Sequence, residues 1–215
     1  MLFYKKESAD KRWQFAVWEI TETVEELSSL VADEALVAFA NSNFGGDKRK
    51  CEWLATRLLL RELMGAEAYV EYDSAGRPFI NGGPFLSISH TDGFAAILLS
   101  LDAPMGIDIE LVGRKAFDSR RRYMSSVEME SLDKKNPQKA ALLGWMAKEA
   151  LFKIVGNLGG TFKDNIIVAP FECAESGSFE LSLSGIYADD IKYFAEYYSF
   201  NSFLLLVCSG NPICR

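Results

Sequence analysis

Residues 106–110, Gly-Ile-Asp-Ile-Glu, alternate apolar and acidic side chains, and this pattern constrains the fold around them. Successive side chains of a β-strand point to opposite faces, so the sequence predicts a strand with Ile107 and Ile109 directed into the core. Asp108 and Glu110 then project together from the other face. Two carboxylates this close disfavour each other's ionised form unless a cation lies between them, and hard oxygen donors suit Mg²⁺ or Mn²⁺. The strand therefore predicts a metal site.

A later helix supplies a third carboxylate. Asn136 as the cap and Pro137 at the first helical position predict a helix that ends near Gly156. Glu149 and Lys153 are four residues apart on it and project together, which is also the spacing of an ordinary Glu–Lys helix pair. Two strand carboxylates and one helix carboxylate can hold a divalent cation, and a nearby lysine can neutralise phosphate oxygens that the cation also contacts. This set of residues favours phosphoryl chemistry on a diphosphate.

Composition sets the class of protein. The 215 residues, 49% hydrophobic and 25% charged, can bury a sizeable core as one larger domain or two small ones. A net charge of −7 argues against a general nucleic-acid or anionic-membrane surface. No apolar run is long enough for a leader or a bilayer span, so we expect a cytoplasmic protein. One histidine and four scattered cysteines disfavour zinc and a disulfide framework; the cysteines are Cys51, Cys173, Cys208 and Cys214.

The pattern along the chain predicts two halves that meet near residues 101–105. In the first half, turn residues and apolar periodicity predict strands and helices that alternate, with a threonine capping the first helix. After Thr161 the second half alternates apolar residues through turns and predicts antiparallel strands. The elements predicted in the first half are strands at 13–20, 85–90 and 94–100, a helix that begins within 21–27, and a helix at 47–64.

Two features of the first half are candidates for binding phosphate. Arg49 and Arg57 recur at helical spacing on the helix predicted at 47–64, although a solvated charged face gives the same pattern. His90 is the single histidine and stands at the end of a predicted strand, where it can contact phosphate or serve only as a packed structural group.

Several ordered segments resemble one enzyme family, the 4′-phosphopantetheinyl transferases of the surfactin-synthetase-activating type. Residues 106–110 match its Gly-(Ile/Val)-Asp-x-Glu pattern, and residues 145–153 match Trp-x-x-Lys-Glu-(Ala/Ser)-x-x-Lys. Further matches are residues 76–78 with Gly-(Lys/Arg)-Pro, residues 87–90 with Ser-(Ile/Val)-Ser-His, and residues 122–128 with Arg-Phe-Phe-(Ser/Thr)-x-x-Glu. The combination and its spacing are specific, whereas any one element alone is weak.

The resemblance implies a fold and an activity. The fold is a pseudo-duplicated α+β structure of two halves, with antiparallel sheets, packed helices and the active site in the cleft between the halves. Residues 1–103 would contact the adenine and phosphates of coenzyme A, and residues 104–215 would carry the metal-binding and catalytic motifs. The implied reaction is that of a holo-acyl-carrier-protein synthase: Mg²⁺-dependent transfer of the 4′-phosphopantetheine arm from coenzyme A to a serine of an apo acyl or peptidyl carrier protein, which releases adenosine 3′,5′-bisphosphate.

By the same resemblance, five residues of the second half have roles in the reaction. Asp108, Glu110 and Glu149 would ligate Mg²⁺, with Mn²⁺ as a possible substitute. Lys153 would contact the diphosphate, and Lys148 would lie beside it as electrostatic support or a proton-transfer partner. The base for the carrier serine is either Glu149 or water on the metal.

The resemblance also implies where coenzyme A is held. Its adenine, its phosphates and its 3′-phosphate would each have their own residues in the first half. These are Gly76, Arg77 and Pro78 at the adenine, Ser89 and His90 at the phosphates, and Arg49 and Arg57 at the 3′-phosphate.

The expected protein partner is a small acidic carrier protein. Because this chain carries a net charge of −7, we predict that docking needs a local positive patch, formed by the basic run Arg120, Arg121 and Arg122 with Lys134 and Lys135. A solvated loop is the alternative interpretation. A chain that builds its own cleft favours a monomer. The competing functions are a non-catalytic carrier-protein-binding relative and, disfavoured by the charge, a metal-dependent nuclease.

Overall fold

A computed structural model describes residues 1–65, 68–156, 159–184 and 191–210, and its packing divides the chain into two units, Met1–Asp102 and Ala103–Arg215. This division is one residue from the predicted boundary between residues 103 and 104. The protein is a mixed α+β structure with antiparallel sheets, as expected. None of the helices within the described ranges is long and apolar enough to cross a bilayer. The predicted cleft and pseudo-duplication stay predictions.

The first unit places one long helix on a four-stranded antiparallel sheet. The strand order is β1-β2-β6-β5, and β3 pairs with β4 in a separate hairpin. Helix α3 packs on β2 and β6, and apolar side chains of α3 and β6 such as Leu59 and Ile97 form the core between them. The elements are β1 Leu2–Glu7, β2 Trp13–Glu19, α1 Val24–Val31, α2 Glu34–Asn43, α3 Asp47–Met64, β3 Glu71–Tyr72, β4 Pro78–Phe79, β5 Phe85–Thr91 and β6 Phe94–Ser100.

The helix ends of this unit follow their capping residues. Thr23 caps α1 in a reciprocal capping box with Glu26, in which Thr23 Oγ1 accepts the Glu26 N–H at 3.2 Å. Asp33 caps α2 through the N–H groups of its first turn. Helix α3 ends at Gly65, whose φ of 90° is readily adopted only by glycine. The predicted bounds of α3 are confirmed.

The second unit also has one long helix packed on an antiparallel sheet, here with five strands. The strand order is β7-β11-β10-β9-β8, and helix α6 packs on β7 and β11. The elements are β7 Met105–Leu111, α4 Ala116–Ser119, a 3-10 turn Arg120–Arg122, α5 Ser126–Glu130, α6 Pro137–Val155, α7 Phe162–Asn165, β8 Ile166–Val168, β9 Ser176–Leu183, β10 Lys192–Ser199 and β11 Phe203–Ser209.

Helix α6 begins and ends as the sequence predicted, with one difference at its start. Asn136 occupies the N-cap position and Pro137 the first turn, and the helix ends before Gly156. The Asn136 side chain, however, makes no capping hydrogen bond. Proline therefore defines this helix start through its fixed φ and its missing N–H.

Gly106 allows α6 and β7 to touch backbone to backbone. A Cβ at this position would lie 1.9 Å from the Ala150 carbonyl oxygen of α6 and 2.7 Å from its carbonyl carbon. Neither atom can move without moving the helix. The glycine of the Gly-Ile-Asp-Ile-Glu segment therefore sets the distance between the strand that carries Asp108 and the helix that carries Glu149.

Candidate functional site

The two acidic side chains of β7 are almost fully buried. Ile107 and Ile109 are inaccessible to solvent on one face of the strand, as predicted, and Asp108 and Glu110 on the other face are only 4% and 6% exposed. Because a buried charge is costly unless it is paired, each carboxylate needs a cation close by.

Both carboxylates have such a cation within the second unit. Lys153 Nζ lies 2.9 Å from Asp108 Oδ1 and also donates to the Ile107 carbonyl oxygen at 2.7 Å. Glu110 forms an ion pair with Arg114, four residues later, beyond the end of β7. No role was predicted for Arg114, although its spacing of four residues from Glu110 was an available signal.

Glu149 joins the same electrostatic cluster from α6. Burial raises the pKa of its carboxyl group, and the negative charge of Asp108 raises that pKa further, while Lys153 and Arg114 act in the opposite direction. The structure thus brings Asp108, Glu149 and Lys153 together, as predicted from two distant sequence segments. Three carboxylates face two cations here, so the cluster carries excess negative charge.

The donor chemistry of this cluster fits a hard divalent cation. Carboxylate oxygens are the ligands that Mg²⁺ prefers, and excess negative charge is relieved by a cation. Within the described residues, no three His, Cys, Asp or Glu side chains are arranged around one point as metal ligands. Lys153 and Arg114 hold the carboxylates instead, and a metal would have to compete with them.

In the first unit, Arg49 and His90 meet over a buried carboxylate. Arg49 Nη1 contacts His90 Nε2, and both side chains also reach Glu52 Oε2, at 3.2 Å from Arg49 and 3.1 Å from His90 Nδ1. Glu52 is 5% exposed, whereas Arg49 and His90 are partly open to solvent. Two of the predicted phosphate-binding residues are therefore neighbours, and no role was predicted for Glu52.

Arg57 is more deeply placed than a surface ligand. It is 5% exposed, its guanidinium stacks 3.7 Å from the Trp53 ring, and it donates to Thr56 Oγ1 and to the Tyr72 hydroxyl. Burial lowers the pKa of Arg57, and the Tyr72 hydrogen bond opposes this change. Arg57 thereby connects α3 to the hairpin β3–β4, which carries the predicted adenine loop.

That loop, which contains Gly76, Arg77 and Pro78, is held in shape by Asp73. Its carboxylate oxygen Oδ1 accepts the Ala75 N–H at 2.8 Å and the Arg77 N–H at 2.9 Å. The backbone adds two bonds between Asp73 and residues 76 and 77, and Gly76 has a φ of 78°. This is the Asx-turn chemistry of a tight hairpin. On β5, Ser89 is buried and its neighbour His90 is half-buried.

Comparison with known proteins places these motifs in one family. The model of the 4′-phosphopantetheinyl transferase superfamily matches residues 104–208, which include both acidic segments. The chain is 31% identical over 140 residues to the 4′-phosphopantetheinyl transferase AcpT of Salmonella typhimurium, a match that covers 60% of this chain and 69% of the relative. It is 29% identical over 139 residues to the protein of the same name from Salmonella typhi, with the same coverage.

The chain belongs to the 4′-phosphopantetheinyl transferase superfamily. Its enzyme class is accordingly that of a 4′-phosphopantetheinyl transferase. The structure of this transferase bears on several of the residues predicted from the sequence.

Lys148 of the transferase does not lie where the sequence placed it. The side chain is completely buried, and Nζ contacts Glu128 Oε1 at 2.7 Å and the carbonyl oxygens of Tyr123 and Ile166 at 2.8 and 2.7 Å. Burial lowers the pKa of Lys148, and the Glu128 charge opposes that shift. Lys148 points into the core of the second unit on a different side of α6 from Lys153. This position supports a structural role for Lys148.

The basic run of the transferase is divided between packing and exposure. Arg120 stacks 3.7 Å from the Phe117 ring and donates to the Phe117 carbonyl oxygen. Arg121 and Arg122, in the same 3-10 turn, are exposed, as are Lys134 and Lys135. The exposed members of this run are available to an acidic partner.

The described thiols are poor nucleophiles. Burial raises the pKa of Cys51 and Cys208, and burial together with the Asp133 charge raises the pKa of Cys173 to about 11. The reactive form of cysteine is the thiolate. Cys214 lies outside the described residues. Among the described groups, the carboxylate cluster on β7 and α6 is the stronger candidate for catalysis.

Proposed function

We propose that this chain transfers the 4′-phosphopantetheine arm of coenzyme A to a serine hydroxyl of an apo acyl or peptidyl carrier protein, with Mg²⁺ or Mn²⁺ as the cofactor. One observation carries this proposal: Asp108, Glu149 and Lys153 converge in the segment that matches the family. The surfactin-synthetase-activating subtype, a monomeric state and a cytoplasmic location are further parts of the proposal, and they rest on the sequence motifs and composition alone.

Asp108, Glu110 and Glu149 would hold the divalent cation. The support is chemical: three buried or half-buried carboxylates with excess negative charge provide hard oxygen donors. When bound, the cation would neutralise charge on the diphosphate as the phosphoryl group is transferred.

Lys153 would neutralise negative charge on the diphosphate, and Glu149 is a candidate to accept the proton of the carrier serine. Lys153 has its ammonium group fixed at the edge of the cluster by Asp108 and Ile107, which suits contact with diphosphate oxygens. The serine Oγ forms a bond to the β-phosphorus while the bond from that phosphorus to the bridging oxygen breaks, so adenosine 3′,5′-bisphosphate leaves with the electron pair. The serine proton would pass either to Glu149 or to water held by the cation.

The first unit would bind the nucleotide part of coenzyme A. The backbone around Gly76, Arg77 and Pro78 would line the adenine, and Ser89 and His90 would reach phosphates. Arg49 suits the 3′-phosphate because its side chain is about half exposed. Arg57 suits it less well, since its guanidinium is buried against Trp53 and Tyr72; its support would be through the hairpin.

The transfer reaction has a direct test. We expect intact-mass spectrometry to show a gain of one phosphopantetheine on an apo carrier protein incubated with the wild type, coenzyme A and Mg²⁺, and no gain after chelation. Glu149→Gln removes a candidate base and a ligand charge, so its rate should fall by at least about 100-fold.

A surface variant provides the control for this test. Glu130→Gln makes the same chemical replacement at an exposed glutamate of α5, and this variant should transfer at the wild-type rate. If folded wild type modifies no fatty-acid, polyketide or peptidyl carrier, the proposal fails in favour of a non-catalytic carrier-binding protein. If it degrades DNA with Mg²⁺ instead, the nuclease interpretation replaces it.

The exposed arginines of the 3-10 turn would dock the acidic carrier. Reversing the charge of Arg121 and Arg122 to glutamate should raise KM for the carrier by about 10-fold and leave KM for coenzyme A unchanged, because only the carrier meets this surface. The matched control reverses Lys5 and Lys11, which are exposed lysines of the first unit, and so makes the same change in net charge. Equal effects of the two double variants, or no effect of either, would exclude a specific docking patch.

A further inference from the structure

Glu52 is a buried carboxylate that none of the predicted roles uses. It lies on α3, three residues after Arg49, and it is one of the least exposed acidic side chains among the described residues. From the sequence pattern alone, Glu52 would be interpreted as an ordinary charged residue on a helix with many charges. Burying this carboxylate costs free energy unless the carboxylate is paired with cationic or hydrogen-bonding groups.

The contacts of Glu52 orient two different side chains at once. Oε2 lies 3.2 Å from Arg49 Nη1 and 3.1 Å from His90 Nδ1, which comes from β5. A carboxylate on Nδ1 makes this nitrogen the protonated one, and Nε2 then faces Arg49 Nη1, the contact that the structure has. One carboxylate thus determines both the ring orientation of His90 and the position of the Arg49 guanidinium.

The neighbouring charged residues have other partners and do not position Arg49 or His90. Lys48 and Asp92 pair with each other at 3.0 Å and are largely exposed, and Arg57 points to Thr56 and Tyr72. Arg49 is also placed over the Phe44 ring, at 5.5 Å, which leaves its guanidinium partly open to solvent. Glu52 is therefore the described carboxylate that holds Arg49 and His90 together.

We infer that Glu52 is a positioning residue that, directly and through His90, fixes the Arg49 guanidinium as the group that binds the 3′-phosphate of coenzyme A. This inference rests on the proposed function. Its consequence is selectivity: the enzyme should prefer coenzyme A to 3′-dephospho-coenzyme A, and Glu52 should set the size of that preference without touching either substrate.

The test compares the two substrates in the same transfer assay. For Glu52→Ala we expect KM for coenzyme A to rise about 10-fold or more, the loss that corresponds to one hydrogen bond with a charged group, with kcat nearly unchanged. KM for 3′-dephospho-coenzyme A should stay at its wild-type value, because that substrate lacks the recognised phosphate. Glu52→Gln keeps an oxygen for Nδ1–H and should recover part of the preference.

A purely structural role for Glu52 gives a different result. Loss of folded protein would lower the rates with both substrates equally, and Glu52→Gln would then show no selective recovery; this outcome overturns the inference. Asp92→Asn, which removes an exposed carboxylate two residues from His90, is the matched control and should leave both KM values unchanged.

The two proposals fail in distinguishable ways. A wild type that modifies no carrier protein with either substrate contradicts the proposed function. A wild type that transfers from both substrates with equal KM contradicts only the inference about Glu52.

Discussion

Lys148→Met is expected to lower the free energy of unfolding by about 3–5 kcal/mol, because it leaves the Glu128 carboxylate buried without its cation. The Lys148 ammonium is inaccessible to solvent and contacts both Glu128 oxygens, at 2.7 and 3.0 Å. Glu128 also accepts the backbone N–H groups of Ser125 and Val168, so the ion pair connects α5, α6 and β8. Urea unfolding followed by circular dichroism measures the change.

Two further variants separate burial from charge. Lys192→Met breaks an exposed ion pair with Glu180, of length 2.8 Å, and should cost less than about 1 kcal/mol. The double variant Lys148→Met with Glu128→Leu should be more stable than Lys148→Met alone, because no uncompensated charge remains. A Lys148→Met protein of wild-type stability but greatly reduced kcat would contradict the structural role and support the sequence-based prediction of a direct part in catalysis.

Gly106→Ala is expected to destabilise the second unit by at least about 3 kcal/mol and to abolish transfer, because overpacking against backbone cannot relax by side-chain movement. The added Cβ would lie 1.9 Å from the Ala150 carbonyl oxygen. Relief requires β7 to move away from α6, which separates Asp108 from Glu149. Thermal unfolding and the mass assay for carrier modification measure the two effects.

Gly144→Ala is the matched control for this prediction, since it makes the same chemical change on α6. The nearest atom to its new Cβ is Met124 Cε at 3.5 Å, an ordinary contact. Alanine is the better helix former, so this variant should gain up to about 1 kcal/mol. A Gly106→Ala protein as stable and active as Gly144→Ala would show that the close approach of α6 and β7 is not required.

The long elements could be predicted because their boundaries are local. Gly65 ends α3, Pro137 begins α6 and Gly156 ends it through backbone preferences that a few residues express. Helix α2 was missed because its buried face is small: Ala40 is its single fully buried residue. Strand β1 was missed because most of its side chains are exposed, and its pairing with β2 depends on distant residues.

Residue type and spacing were enough to predict part of the candidate site. Asp108 and Glu149 come from separate motifs, and the packing of α6 on β7 brings them together. The role of Glu52 and the buried position of Lys148 could not be predicted from spacing, because each depends on which neighbour fills the space around a charge. Lys148 and Glu149 are adjacent in sequence, yet a helix turns them by about 100° relative to each other, so one enters the core and the other the cluster.

The loop closed by Asp73 has a consequence for how tightly a nucleotide can be held. Ordering a flexible segment when a ligand binds costs conformational entropy, and this cost lowers the affinity for the ligand. Here the N–H groups of Ala75 and Arg77 are already fixed by the Asp73 side chain before any ligand arrives. Much of the entropy of this loop is thus lost during folding, so the adenine that we propose binds here would meet a preorganised backbone.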